Sequence, residues 1–383
     1  MRELKNNIIK LNDYIESQNF KGYDPYDALK SPIFKLPVLR KNKLIRFGSQ
    51  QLVKRLPINV RPLLGISRGH NPVTLGLCIQ GYAFLYKAEP DKKNECLQKI
   101  KMLVRELQEL IPTGFSGACW GYDFDWEARH AKIPAYQPTV VATGIIANAL
   151  FEAYLITGNE KCSELVKSAA KFIVNDLNRT YKEENFIFSY SPFDQQKVFN
   201  ASMKGARLLA QAYHLTGKPE FKALADKAVL FVLNYQRENG SWGYSLANSG
   251  SWTDNYHTGY VLDCLDEYAK LTNDTNSQSY IQKGFDFYKK EFFTVEGIPK
   301  FYHDKIYPVD CTAAGQSILT LTRFGEIELA KKVSQWMVEN MQSKEGYFYF
   351  RKYKFHTEKT SFMRWSNAWM FAAISFLQYN LKN

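Results

Sequence analysis

Two helical patterns of apolar and polar positions take turns along this chain. One is apolar on nearly every side, as in VVATGIIANALFEAYLITG after Thr139, and it recurs from Asn71, Asn200, Asp254 and Asp310 and over Trp365–Leu381. A helix of this kind is buried on most sides. The other pattern sets Lys and Glu among apolar residues at helical spacing, as in KCSELVKSAAKFIVNDL. It occupies Glu3–Gln18, Lys92–Ile111, Asn159–Leu177, Lys218–Gln236, Gln278–Phe292 and Glu326–Met341. It predicts outer helices with one solvated face.

The apolar helices share a register: a polar opener, then glycine five residues later. It reads Asn71 to Gly76, Thr139 to Gly144, Asn200 to Gly205, Asp254 to Gly259 and Asp310 to Gly315, while Arg364 to Trp369 keeps the place without the glycine. Successive openers lie 54–68 residues apart, the length of one helical hairpin. Six outer and six inner helices predict an all-α, single-domain (α/α)6 toroid spanning 1–383, its inner helices parallel and close-packed through small residues. An open solenoid of helical pairs is the alternative.

Composition adds a charge asymmetry. The net charge is +12, and between Ala28 and Ala88 there are eleven Lys or Arg and no Asp or Glu. Pro32, Pro37, Pro57 and Pro62 interrupt this stretch, so residues 19–69 read as a basic strap inserted between the first outer and inner helices. Its expected roles are a solvated strap across the barrel, an attraction for an acidic substrate, or contact of residues 28–70 with an anionic membrane surface. No nucleic-acid module is recognisable, so nucleic acid is not an expected partner. The six Cys lack metal spacing and the His residues lack HxxxH or HxH spacing, so neither a metal nor a cofactor is expected. Reduced thiols, a charged N-terminus and no apolar run of bilayer length predict a cytoplasmic protein, with attachment to the inner membrane face as the variant.

Aromatic connectors lead into the inner helices: Cys119-Trp120-Gly121-Tyr122-Asp123, Ser241-Trp242-Gly243-Tyr244-Ser245, Gly346-Tyr347-Phe348-Tyr349, and weaker echoes at Phe188-Ser189-Tyr190 and Phe301-Tyr302-His303. Parallel inner helices place all of them at one rim, together with the openers and six helix N-termini. Aromatic faces among carboxylates and amides suit carbohydrate. Trp120, Tyr122, Asp123, Trp126, Arg129, Asn200, Trp242, Tyr244, Asn255, Arg364 and Trp365 are therefore the expected binding residues. Two carboxyl groups hydrolyse a glycoside, and Asp125 with Asp254 or Asp310 is the expected pair. A uronate lyase or C5-epimerase is the second expectation, with an amide and a cation neutralising a carboxylate while His257 or a Tyr removes the α-proton. Asp254 and Asp310 also suit plain helix capping. A non-catalytic glycan-binding scaffold at the membrane is a further option, and an isoprenoid cyclase a weaker one, for which no DxDD or DDxxD sequence is found.

The segments GYDFDWEARHAKIPAYQPTVVATG, SWTDNYHTGYVLDCL, YPVDCTAAGQ and RWSNAWMFAAISFL, with the early GYDPYDALKS, resemble a bacterial family of surface- and exopolysaccharide biosynthesis proteins, some carrying an aminolevulinate dehydratase label. The resemblance implies an (α/α)6 toroid working on a capsule or exopolysaccharide. Its motifs fall on Trp120, Tyr122, Asp123, Asp125, Trp126, Arg129, Asp254, Asn255, His257, Asp310, Arg364 and Trp365. The dehydratase label does not fit, because that chemistry uses an α/β barrel with paired active-site lysines.

Overall fold

A computed structural model describes residues 2–127 and 132–382. Six inner helices stand where the register predicts them: α4 (Pro72–Ala88), α6 (Val140–Thr157), α8 (Phe199–Thr216), α10 (Asn255–Thr272), α12 (Cys311–Arg323) and α14 (Trp369–Asn380). Each packs on the next, and α14 packs back on α4. That last contact closes the ring, so the fold is the (α/α)6 toroid and not an open solenoid. Outside it lie α1 (Arg2–Ser17), α5 (Lys93–Glu109), α7 (Glu160–Asn175), α9 (Pro219–Leu233), α11 (Gln278–Glu291) and α13 (Ile327–Met341). Four short helical segments between α1 and α4, including α2 (Pro37–Lys41) and α3 (Lys43–Arg55), do not belong to either ring.

The register glycines lie where inner helices meet. A Cβ on Gly144 would come within 2.8 Å of Lys204 on α8, and one on Gly315 within 3.2 Å of the Trp369 backbone on α14. Helix α6 has the length and composition of a bilayer span, contrary to the sequence expectation, but it is an inner-ring helix and mostly buried.

The openers are less uniform than the register suggests. Asn71, Thr139, Asp254 and Asp310 are side-chain N-caps. Asn200 is not: α8 begins at Phe199 with Val198 before it, so the Asn200 amide lies inside the first turn and is not used in capping. Arg364 belongs to a π-helical turn, Met363–Ala368, that precedes α14. Such wide turns project successive side chains differently from an α-turn and are common at functional sites.

The strap crosses the rim that holds the inner-helix N-termini. Arg364 is held side-on by Asp24 (2.6 and 2.9 Å), Lys30 reaches Asp123 (2.8 Å), and Arg46 reaches Glu127 (2.8 Å) and Asp125 (3.2 Å). At the other end, Glu89 beyond α4 binds Lys5 of α1 (2.5 Å) and Lys382 at the C-terminal end (2.6 Å).

Candidate active site at the toroid mouth

The two WGY connectors divide their aromatic rings in the same way. In each WGY the tryptophan turns into the hairpin and the tyrosine turns to the mouth. Trp120 donates its indole N–H to the Leu107 carbonyl at the end of α5 (2.8 Å), and Trp242 does the same to Val232 at the end of α9 (3.1 Å). Both rings are buried, so the structure places Trp120 and Trp242 in the hairpin cores rather than against a ligand. Tyr122 and Tyr244 face a cleft of about 250 Å³ at the ring's mouth.

Strap, connectors and inner helices all contribute to this cleft. Tyr26 enters from the strap, and Phe124 and Trp126 from the loop after Tyr122. Tyr190 and Trp252 come from neighbouring connectors, and Tyr256, His257 and Tyr260 from α10. Val141 and Ile145 of α6 and Trp369 of α14 complete the wall, with Asn200, Arg364 and Trp365. Tyr244 stacks on Trp252 at 4.6 Å, and Tyr26 and Tyr256 meet Trp365 edge-on at 5.7 and 5.9 Å. Stacked and edge-on rings at these distances hold one another in place. A second groove of about 740 Å³ shares Trp126, Tyr244 and Trp252 and continues between residues 195–198 and 244–250.

The cleft is almost empty of charge. No carboxylate lines it among the described residues. Asp310 is fully enclosed: it caps α12, accepts from Arg351 at 2.6 Å, and receives the Trp365 indole N–H at 3.4 Å. Its work is to fix an aromatic wall. Asp123 is held by Lys30 and by the Asn71 amide (2.9 Å), also away from the cleft. Asp125 accepts from Arg46 and the Ala135 N–H (2.9 Å), with its side chain 37% exposed outside the cleft. Asn255 is a core node, donating to the Lys300 carbonyl and accepting from Tyr288 and Ser317. Arg129 lies outside the described residues.

Asp254 combines the two roles that the sequence left open. It caps α10 by accepting the His257 N–H at 2.9 Å, and the same carboxylate meets His257 Nδ1 at 2.9 and 3.0 Å. Asp254 is buried behind the imidazole. A carboxylate can only accept, so Nδ1 carries a proton, and in the neutral imidazole the lone pair is then on Nε2. Histidine at the third helical position makes this possible, because the cap already aims at that residue's backbone.

Arg364 spends Nε and one Nη on Asp24 and lies 4.8 Å from the ring centres of Tyr122 and Trp365. Its remaining Nη has no ion pair among the described residues. Asn200 is buried, and its amide nitrogen has no protein partner. An unsatisfied buried donor is costly unless something fills it. Burial pushes the hydroxyls of Tyr190, Tyr256 and Tyr260 well above the ordinary phenol range, so they are neutral donors at neutral pH. Below the floor, the Lys204 ammonium sits 3.5 Å from the Tyr260 ring centre.

Sequence reasoning missed Tyr26, Phe124, Trp252, Tyr260, Trp369 and the Asp24 partner. Tyr256 and Tyr260 carried a readable signal, being four apart at the start of an inner helix. Tyr26 and Asp24 lie in the GYDPYDALKS segment, but no local spacing pointed them to the mouth, since only the fold of the strap brings them there.

No protein-family model matches the chain, and no curated protein sequence matches it. Solved structures do. A cellobiose 2-epimerase from Bacillus thermoamylovorans is 13% identical with a TM-score of 0.64, covering 83% of this chain and 90% of that one. An unsaturated glucuronyl hydrolase specific for heparin is 14% identical with a TM-score of 0.62, covering 98% and 96%. A family 76 alpha-mannanase from Bacteroides thetaiotaomicron is 13% identical with a TM-score of 0.57, covering 81% and 86%. The likeness is one of fold: this chain has the (α/α)6 toroid on which those carbohydrate-active enzymes are built.

Proposed function

We propose that the protein is a carbohydrate-active enzyme that moves a proton at a sugar ring carbon, in the epimerase or lyase class. One observation carries this reading: the cleft is lined by an Asp254-held histidine, an arginine, a free amide and neutral tyrosines, with no carboxylate among them. Hydrolysis by a carboxylate pair, the first expectation from sequence, needs two carboxyl groups across the scissile bond. Asp125 and Asp310 are engaged elsewhere and Asp254 stands behind His257.

In this mechanism His257 Nε2 takes the proton α to a carbonyl or carboxylate. The free Nη of Arg364 and the Asn200 amide hold the oxygens that gain charge. A tyrosine O–H returns a proton on the opposite face to give the epimer, or loss of the β-substituent gives an unsaturated product. The toroid shared with a cellobiose 2-epimerase supports the epimerase branch. The basic strap and the resemblance to surface-polysaccharide biosynthesis proteins favour an acidic glycan. The cleft has room for a terminal residue, with the neighbouring groove for the chain behind it.

The test incubates the protein with uronate-containing oligosaccharides in deuterated water. Deuterium appearing at a ring carbon, or ultraviolet absorbance from an unsaturated uronate, is expected. His257→Gln lowers either signal by about 100- to 10,000-fold with binding retained. New reducing ends with neither deuterium nor absorbance would mean hydrolysis and sink the reading.

A further inference from the structure

Helix α3 buries polar side chains and exposes apolar ones. Its inward face carries Arg46 and Gln50, 3% and 0% exposed, with Val53, while Leu44 and Leu52 face outward at 81% and 62% exposed. The inward residues have reasons to be there: Arg46 binds Glu127 and Asp125, and Gln50 donates to the carbonyls of Tyr26 and Asp125. No contact among the described residues accounts for the outward leucines. Gly48 lies between them at helical spacing, and a side chain there would meet open space. The neighbouring turns repeat the pattern with Leu36 and Val38, 58% and 75% exposed. Eight of the seventeen large hydrophobics exposed among the described residues fall between Ile33 and Leu63.

The cations of the strap divide into two sets. Lys30, Arg46 and Arg61 point inward and are paired with Asp123, Glu127 and Asp27. Lys35, Arg40, Lys41, Lys43 and Arg55 are exposed beside the outward apolar residues. No acidic residue occurs between Ala28 and Ala88. Apolar side chains set among cations are what an anionic interface accepts: the leucines enter the acyl boundary while lysines and arginines meet lipid phosphates. A second copy would bring the same positive face and repel it.

We infer that α2, α3 and the turn before them form a docking surface for an anionic lipid bilayer. Docking uses the outer face of α3, and the inner face of the same helix buttresses Tyr26 and the Trp126 loop. A helix diameter of about 10 Å therefore separates the bilayer from the wall of the cleft. This reading is independent of the chemistry in the cleft, and neither fails with the other.

The experiment is co-sedimentation of the full chain with phosphatidylcholine vesicles, with and without phosphatidylglycerol. Binding is expected only with phosphatidylglycerol and should weaken with salt. Reversing Lys35, Arg40 and Lys41 to Glu together should lower affinity on the order of 100-fold, each cation being worth about fivefold near an anionic surface. Leu44→Ser with Leu52→Ser should lower it about tenfold or more without changing the melting temperature, since both positions are exposed. Equal binding to both vesicles, or to neither, overturns the inference. So does concentration-dependent self-association that the leucine substitutions abolish, because the face would then belong to a second copy.

Discussion

Trp120 and Trp242 look like ligand platforms in the sequence, and each closes the end of an outer helix instead. The reason is that each indole N–H finds an open carbonyl in the last turn of its own outer helix, which draws the ring into the hairpin. Trp and Tyr of each WGY stand two residues apart, the spacing that shares a face in an extended strand, so the sequence carried no sign that they part. Trp120→Phe removes the indole N–H and strands the Leu107 carbonyl. It should cost about 1–2 kcal/mol in a denaturant titration and leave ligand affinity unchanged. A loss of affinity without a loss of stability would put the ring back at the cleft. The polar openers were legible as a group but not individually. Their fates are set by partners far along the chain: Arg364 meets Asp24 across 340 residues, and Asp123 meets Lys30 across 93. Local pattern carries no trace of such pairings, so the sequence overweighted carboxylates that the strap had already claimed.

Among the elements, α8 shows how an inner helix serves both the cleft and the ring axis. Asn200 and Lys204 lie one turn apart on the same face, the first in the cleft and the second beneath it. Burial draws the Lys204 ammonium down to about 7 from the ordinary 10.5. The sign follows from proton counting. Between about pH 7 and 10.5 the unfolded chain holds this proton and the folded chain does not, so stability from this group rises with pH across that window. Below it, the fold carries a buried charge, eased by the Tyr260 ring. Lys204→Met should therefore raise stability by roughly 2–4 kcal/mol at about pH 6, and by less as pH climbs towards 10. Calorimetric melts at both ends check this, and a gain that grows with pH would contradict it. The helical hairpins themselves were readable because each repeats the same demands: small residues where inner helices touch and a polar cap where they begin.

At the scale of the molecule, the ring builds the cleft and the strap completes it. Asp24, Tyr26 and Arg46 all come from a segment outside the hairpin repeat, yet they set the orientation of Arg364, one wall of the cleft and the position of the Trp126 loop. Asp24→Asn leaves a buried guanidinium facing an uncharged amide. Removing one partner of a buried pair costs about 3–5 kcal/mol, and the strap should become sensitive to trypsin in step. Cleavage confined to residues 30–60 would show the strap loosening alone, whereas an unchanged digestion pattern would mean that Asp24 does not pin it. The sequence announced this segment by its charge and prolines but hid what it does, because its inward cations are indistinguishable in composition from its outward ones.

The contact of α14 with α4, and of α1 with α14, bears on the order of assembly. Helix α1 is held from two sides: Tyr82 of α4 bonds its Asn12 and Glu16, and Lys99 of α5 bonds Glu16, while α14 covers it from far along the chain. Each intermediate hairpin can dock on its predecessor, but α4 keeps one flank bare until α14 reaches it and the ring closes. In refolding followed by pulsed hydrogen exchange, α14 should gain protection after α6 and α8. Protection of α14 ahead of them would show that ring closure does not come last. The partly folded toroid is thus an open arc with two apolar ends, a shape that calls for a chaperone's attention until the ring closes.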